Sequence, residues 1–219
     1  MRGWAAIALV ELASAAAFAG GWNVEAYTGA PVNLSTPLSI EQSGQPTLRI
    51  TAQYETRPFE LPRYYHVHIG YWSGKAEWAV ELTHHKIFLT NLPAEVGAFA
   101  ASHGYNLLTA NRGWELPFDI WARVGLGIVI SHPESTVRGQ KFGENGGFYG
   151  LGFYLSGAVA TAAIQKRVYL VSGFFIAATG MLSAAYAVLP IVDGHASTPN
   201  IAFHGLVGLG YRFGSPSIE

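Results

Sequence analysis

Histidines carry most of the chemical potential of this chain. His66 and His68 stand two residues apart, a spacing that puts both imidazoles on one face of a strand. Such a pair can chelate a metal, but no third ligand completes the pattern. Hydrogen bonds to neighbouring carboxylates are therefore the expected role, and neither a metal nor another cofactor is expected. His84 and His85 adjoin Lys86 and would point to opposite faces. His103 lies in Ser102-His103-Gly104-Tyr105-Asn106. His195-Ala196-Ser197 sets a base and a hydroxyl two residues apart, the pairing that activates a serine nucleophile when the two touch. The chain has no cysteine, which removes disulfides, thiolate metal sites and a thiol nucleophile together.

Strands position these groups. Between 117 and 132, Phe118, Ile120, Ala122, Val124, Leu126, Ile128 and Ile130 fall on one face. Asp119, Trp121, Arg123, Gly125, Gly127, Val129 and Ser131 fall on the other. The same alternation recurs from Leu48 to Glu55, from Tyr64 to Trp72, from Glu77 to His85 and from Ile201 to Phe213, with little helical pattern left over to cover the apolar face. Lipid is the economical cover, and an apolar exterior around a polar interior describes a transmembrane β-barrel. The expected class is all-β, an antiparallel barrel in the bacterial outer membrane.

Eight strands are predicted, at 22–29, 47–56, 63–72, 75–85, 117–131, 148–164, 167–186 and 200–213. Ten is the other count the pattern allows, because 86–116 is otherwise a long connection on the side of short turns, and 102–111 can supply an extra strand. The longest loops are expected at 30–46, 132–147 and 187–199, with a tight turn at Gln165-Lys166. Predicted to face the lumen are Arg49, Glu55, His66, His68, Glu77, Glu81, His85, Asp119, Arg123, His204 and Arg212, together with Glu25. Both signs are present, and charges in so narrow an interior must pair, since an isolated buried ion costs several kcal/mol. A paired network would plug the barrel. Ser156, Ala158, Ala160, Ala177 and Thr179 are expected inside later strands, leaving either a pocket for an acyl chain or room for Trp72 and Trp121.

Arg2, an apolar run through Ala17 and the small residues of Ala17-Phe18-Ala19 predict an export signal over 1–19, leaving 20–219 as one barrel domain. A rival arrangement would make transmembrane helices of 146–164 and 168–192, which are uncharged. Their many glycines and β-branched residues suit strands better. A net charge of −1 gives no electrostatic ground for a nucleic-acid partner, and the apolar strand faces make outer-membrane lipid the expected partner.

His195-Ala196-Ser197, followed by Pro199-Asn200 and ending in Gly210-Tyr211-Arg212-Phe213, resembles the C-terminal part of outer-membrane lipid A deacylases. In that family a His-x-Ser pair and a carboxylate form a catalytic triad on an eight-stranded barrel, and an Asn follows the Ser where this chain has Thr198. The resemblance implies His195 as base, Ser197 as nucleophile, and an acyl chain or lipid A as partner. A second likeness, to outer-membrane lipid A palmitoyltransferases, draws on His132, Ser131 or Ser135, and Asp193 or His195. The incomplete triad pattern and a lumen that reads as a structural network favour a noncatalytic barrel that works by structure or by binding a ligand or partner. The alternative is an enzyme that removes or transfers acyl chains of lipid A or phospholipid.

Overall fold

The computed structural model describes residues 20–143 and 145–214; the predicted export signal lies outside the described residues. The strands among them are β1 (Gly20–Asn33), β2 (Thr36–Gln42), β3 (Leu48–Ala52), β4 (Tyr54–Glu55), β5 (Tyr65–Ser73), β6 (Ala76–His84), β7 (Ile87–Leu89), β8 (Val96–Ala101), β9 (Tyr105–Leu116), β10 (Ile120–Ser131), β11 (Glu134–Val137), β12 (Gln140–Phe142), β13 (Tyr154–Tyr169), β14 (Phe174–Ile191) and β15 (Gly194–Phe213). Eight of them make the wall, in the order β1-β5-β6-β9-β10-β13-β14-β15, and β15 pairs back onto β1 to close it. Every pairing in the wall is antiparallel. Closure leaves no unpaired edge within the wall, which is what a sheet surrounded by hydrocarbon requires.

Alternation decides what each face meets. Val24, Ile69, Val80, Val124, Leu126, Ile164, Ile176, Leu182, Phe203, Val207 and Leu209 are all exposed on the outside. At one end the connections are short, through Gly74-Lys75, 117–119 and 170–173. Around that end run Trp22, Tyr71, Trp78, Trp114, Phe174, Tyr211 and Phe213, with Trp22 edge-on to Tyr71 at 5.3 Å and Phe174 to Tyr211 at 4.6 Å. This is the aromatic girdle of a membrane interface. No helix among the described residues is long and apolar enough to cross a membrane, and the two uncharged runs that suggested helices fall mostly in β13 and β14.

The other end is built differently. β14 and β15 hold 18 and 20 residues against nine in β5 and in β6, so one side of the wall rises well beyond the other. The tall side continues sideways through β2 and β3, with Gly194–Ser197 of β15 paired to Ser39–Gln42. Over it lies a second sheet, ordered β12-β11-β8-β7-β4 and drawn from the connections at 34–64, 85–104 and 132–153. Between them Leu38, Ile40, Tyr54, Ile87, Phe99, Leu107, Val137 and Leu189 form one buried apolar cluster. A small soluble-type core thus roofs the barrel mouth.

Several expected positions move. Segment 47–56 is not part of the wall. Its apolar residues Ala52 and Tyr54 are buried in the roof core, with Leu48 and Ile50 packed against it, while Arg49 and Glu55 face water. A period of two marks an apolar face without saying whether lipid or protein covers it. Its place in the wall is taken by β9, so the wall count of eight stands and ten does not apply. Asp119 leaves the lumen for the turn between β9 and β10, where it lies exposed. Gln165 and Lys166 are mid-strand, and the real turn ends on Gly173 at a φ of 86°. Ala158 and Ala160 face outward, because an extra residue opposite Val129/Ile130 resets the alternation of β13. The segment 187–199 is no loop but the tip of the β14/β15 hairpin, turning at Val192-Asp193.

A Leu126→Arg variant tests the lipid-facing assignment of β10. Near the midplane it is expected to lower folding stability in phospholipid vesicles by about 2–4 kcal/mol. Leu92→Arg, on an exposed loop, should change it by no more than about 0.5 kcal/mol. Urea titration of both variants measures the contrast.

Candidate functional site

The most elaborate chemistry lies inside the wall. Glu25 on β1, His68 on β5, Glu77 and Glu81 on β6, Arg123 on β10, and Gln165 and Arg167 on β13 all point inward, none more than 3 % exposed. Arg167 Nη2 lies 2.5 Å from Glu25 Oε1 and 3.6 Å from Glu77 Oε1. Arg123 Nε lies 3.0 Å from Glu81 Oε1, and its Nη1 donates to Gln165 Oε1 at 2.6 Å. The Gln165 amide donates in turn to Glu25 Oε2 at 2.6 Å, Asn23 donates to Glu25 Oε1 at 2.7 Å, and Tyr27 donates to Glu25 as well. His68 joins the three carboxylates, with Nδ1 2.8 Å from Glu81, Nε2 3.2 Å from Glu77 and 3.7 Å from Glu25. A carboxylate only accepts, so these contacts ask for a donor at each ring nitrogen.

The lumen is packed around this network. The Arg167 guanidinium stacks over Trp121 at 4.4 Å and Phe175 at 5.0 Å, and Arg212 lies 3.6 Å over Trp72 nearer the short-turn end. Room comes from glycine. A Cβ on Gly70 would collide with Glu77, Asn23 and His68, and one on Gly210 with the Phe175 ring. Above the ions, His204 bridges Tyr64 at 2.9 Å and Ser183 at 2.8 Å, and His66 meets Thr83 at 2.9 Å. His85 Nε2 reaches Asn33 at 3.0 Å, and Asn200 donates to the same Asn33 oxygen at 2.9 Å. The roof core begins directly beyond.

Of the residues predicted for the lumen, His66, His68, Glu77, Glu81, Arg123 and His204 come together there. His85 closes the outer end and Arg212 the inner end. Arg49, Glu55 and Asp119 stay outside, and Glu55 instead pairs with Arg57. Gln165 and Arg167 were missed, although Gln165-Lys166-Arg167 alternates polar, charged, charged in a form that a strand reads as in, out, in. His195 and Ser197 sit on the outer face of the β15 tip, two residues apart. His195 Nε2 is 3.7 Å from Glu41 across the β2 pairing, and Ser197 stands opposite Ser39. Of the residues in the palmitoyltransferase likeness, Ser131 bonds Ser156 at 2.5 Å, while His132 contacts Glu134, His103 and Phe153.

That last group is a second cluster, at the loop end. Ser102 Oγ donates to Glu134 Oε1 at 2.5 Å and lies 3.0 Å from His103 Nδ1, which is itself 3.0 Å from the same carboxylate oxygen. Partial burial would push the Glu134 carboxyl up, but the hydrogen bonds of Ser102 and His103 outweigh it and hold the group below the ordinary carboxylate range.

The lumenal network predicts non-additivity. Arg167→Met leaves Glu25 and Glu77 without their shared guanidinium and is expected to cost about 3–5 kcal/mol. Combined with Glu25→Gln it should cost less than the two single changes summed, by more than about 1 kcal/mol in urea unfolding.

No family model and no curated protein matches the chain. Among solved structures, it is similar to outer-membrane protein AlkL in DMPC bilayers, at 10 % identity over 91 % of this chain and 93 % of that one, with a TM-score of 0.50. It is also similar to OprG from Pseudomonas aeruginosa, at 12 % identity over 90 % and 97 % with a TM-score of 0.41, and to Ail of Yersinia pestis, at 11 % over 89 % and 97 % with a TM-score of 0.39. At such identities likeness speaks for fold alone. With its closed eight-stranded wall and apolar exterior, the chain has the fold of the small bacterial outer-membrane β-barrels.

Proposed function

We propose that this protein is a non-conducting, noncatalytic barrel that acts at its roofed end, by stabilising the envelope or by binding a partner there. The observation that carries this reading is the filled lumen. Seven side chains of the charge network are out of reach of water, and an apolar core covers them. An aqueous path would have to break ion pairs whose separated charges cost several kcal/mol each. The roof, in contrast, offers surface: Phe59, Leu61, Tyr149 and Leu151 are more than half exposed on the long connections. Large apolar side chains held in water suit contact with a partner or with lipid. In planar bilayers the folded protein is expected to give no stepwise conductance. Stable unitary steps from the unmodified chain would overturn the reading.

One observation favours a second reading, an acyl-chain-modifying enzyme. Glu41 lies beside His195, and Ser197 follows on the same strand face, so a carboxylate, a base and a hydroxyl share one outer patch. On this reading, expression in an outer-membrane host adds or removes one acyl chain on lipid A or phospholipid, and Ser197→Ala abolishes the change without loss of folded protein. Mass spectrometry of the lipids decides it, and lipids unchanged by the unmodified protein would sink the enzyme.

A further inference from the structure

We propose that His103, His132 and Glu134 form a binding site for a divalent transition-metal ion of the Zn²⁺ type, joining two of the long connections of the roof. His103 belongs to the connection at 85–104, and His132 and Glu134 to that at 132–153. Their donor atoms all lie within 4.8 Å of one another, with Glu134 Oε1 3.0 Å from His103 Nδ1 and 3.4 Å from His132 Nδ1. Zinc binds imidazole and carboxylate at about 2.0–2.2 Å in tetrahedral geometry, which sets neighbouring ligand atoms roughly 3.3–3.5 Å apart. Both separations from Glu134 Oε1 already stand near that spacing, and the two imidazole donors lie within 4.8 Å of each other.

An independent observation points the same way. His132 is 6 % exposed, and its Nδ1 has no hydrogen-bond partner. A buried ring nitrogen without a partner is costly, and this one lies 3.4 Å from Glu134 Oε1 without bonding it. The ring has little freedom to turn elsewhere. Its Nε2 side is so close to Gly152 that a Cβ there would collide, and Phe153 packs edge-on at 5.0 Å. The Ser102 hydroxyl, against both His103 and Glu134, supplies a fourth oxygen or a place for water. Imidazole and carboxylate ligands without sulfur suit zinc, cobalt or nickel.

A second triad, Glu25, His68 and Glu77, meets the same distance criterion. Its atoms are already engaged by Arg167, Asn23 and Glu81 and sealed from solvent, which leaves an ion neither free ligands nor an entry path. The surface triad differs on both counts, since the His103 side chain is 57 % exposed and the Glu134 side chain 34 %. An ion there would tie together the connections whose strands β8 and β11 pair from Glu134 and Ala100 onward, clamping the end of that ladder next to wall strands β9 and β10.

The test uses the folded chain in lipid nanodiscs, stripped of metal and titrated with ZnCl₂ by calorimetry. One Zn²⁺ per chain is expected, with His103→Ala and Glu134→Gln each weakening it by at least about 10-fold. His103 is exposed and Glu134 partly so, and retained heat-modifiable migration in gels confirms that each variant is folded. Cobalt bound in place of zinc should give a visible absorption band that both variants lose. Absence of saturable binding overturns the proposal, and so does binding that both variants leave unchanged.

Discussion

Everything inside this barrel follows from one constraint: charges removed from water must be matched. Eight strands enclose an interior just wide enough for side chains to fill it. Into that space the chain places Glu25, Glu77 and Glu81 from one half of the wall and Arg123 and Arg167 from the other. Their attraction acts across the lumen between strands far apart in sequence, β1 with β13 and β6 with β10. Such contacts fix which strands face each other and make the closed wall a single unit. Glycines set opposite the large groups, such as Gly70 and Gly210, are part of the same arrangement, because without them the network has no volume.

The roof adds a second kind of stabilisation. Where β14 and β15 rise above the short strands, their inward residues pack against β2, β7 and β8 as in a soluble sandwich. Gln42 and Arg138 stitch this layer together, with Arg138 donating to Gln42 Oε1 at 3.1 Å and to the Pro46 carbonyl at 2.7 Å. The molecule therefore joins two folding environments, a hydrocarbon-facing wall with a polar inside and a water-facing cap with an apolar inside. Side chains at the junction serve both, as Tyr105 does when it lies near His85 and donates to the Thr198 carbonyl.

This inversion explains what the sequence revealed and what it hid. β10 is legible because its faces differ sharply, Val124, Leu126 and Ile128 against Trp121, Arg123 and Gly125. Segment 47–56 alternates as cleanly, yet its apolar face meets the roof core, and nothing in a period of two distinguishes that core from lipid. β9 was hidden for the opposite reason. Leu107 and Leu108 are apolar on both faces, and Arg112 points outward near the girdle, stacked 4.8 Å from Trp78. Local alternation also gives no sign of the bulge that turns Ala158 and Ala160 outward. At the loop end, Ser102 and His103 stood out in the sequence, but their partner Glu134 lies 31 residues beyond His103 and is brought to it only by the β8–β11 pairing.

The central claim is that the lumen is filled and shut to water at the level of the ion pairs, and the absence of native cysteine makes it directly measurable. Ala177 is 1 % exposed, points inward on β14 and lies in register with Arg167. Ser39 stands on β2 in the roof and is partly exposed. The rate at which a small, water-soluble thiol reagent labels Ala177→Cys in the folded, membrane-inserted protein, compared with Ser39→Cys, tests the claim most directly. The account predicts that Ala177→Cys stays unlabelled until the protein is unfolded, while Ser39→Cys reacts in the native state. Comparable rates at the two positions would mean a water-filled lumen and contradict it.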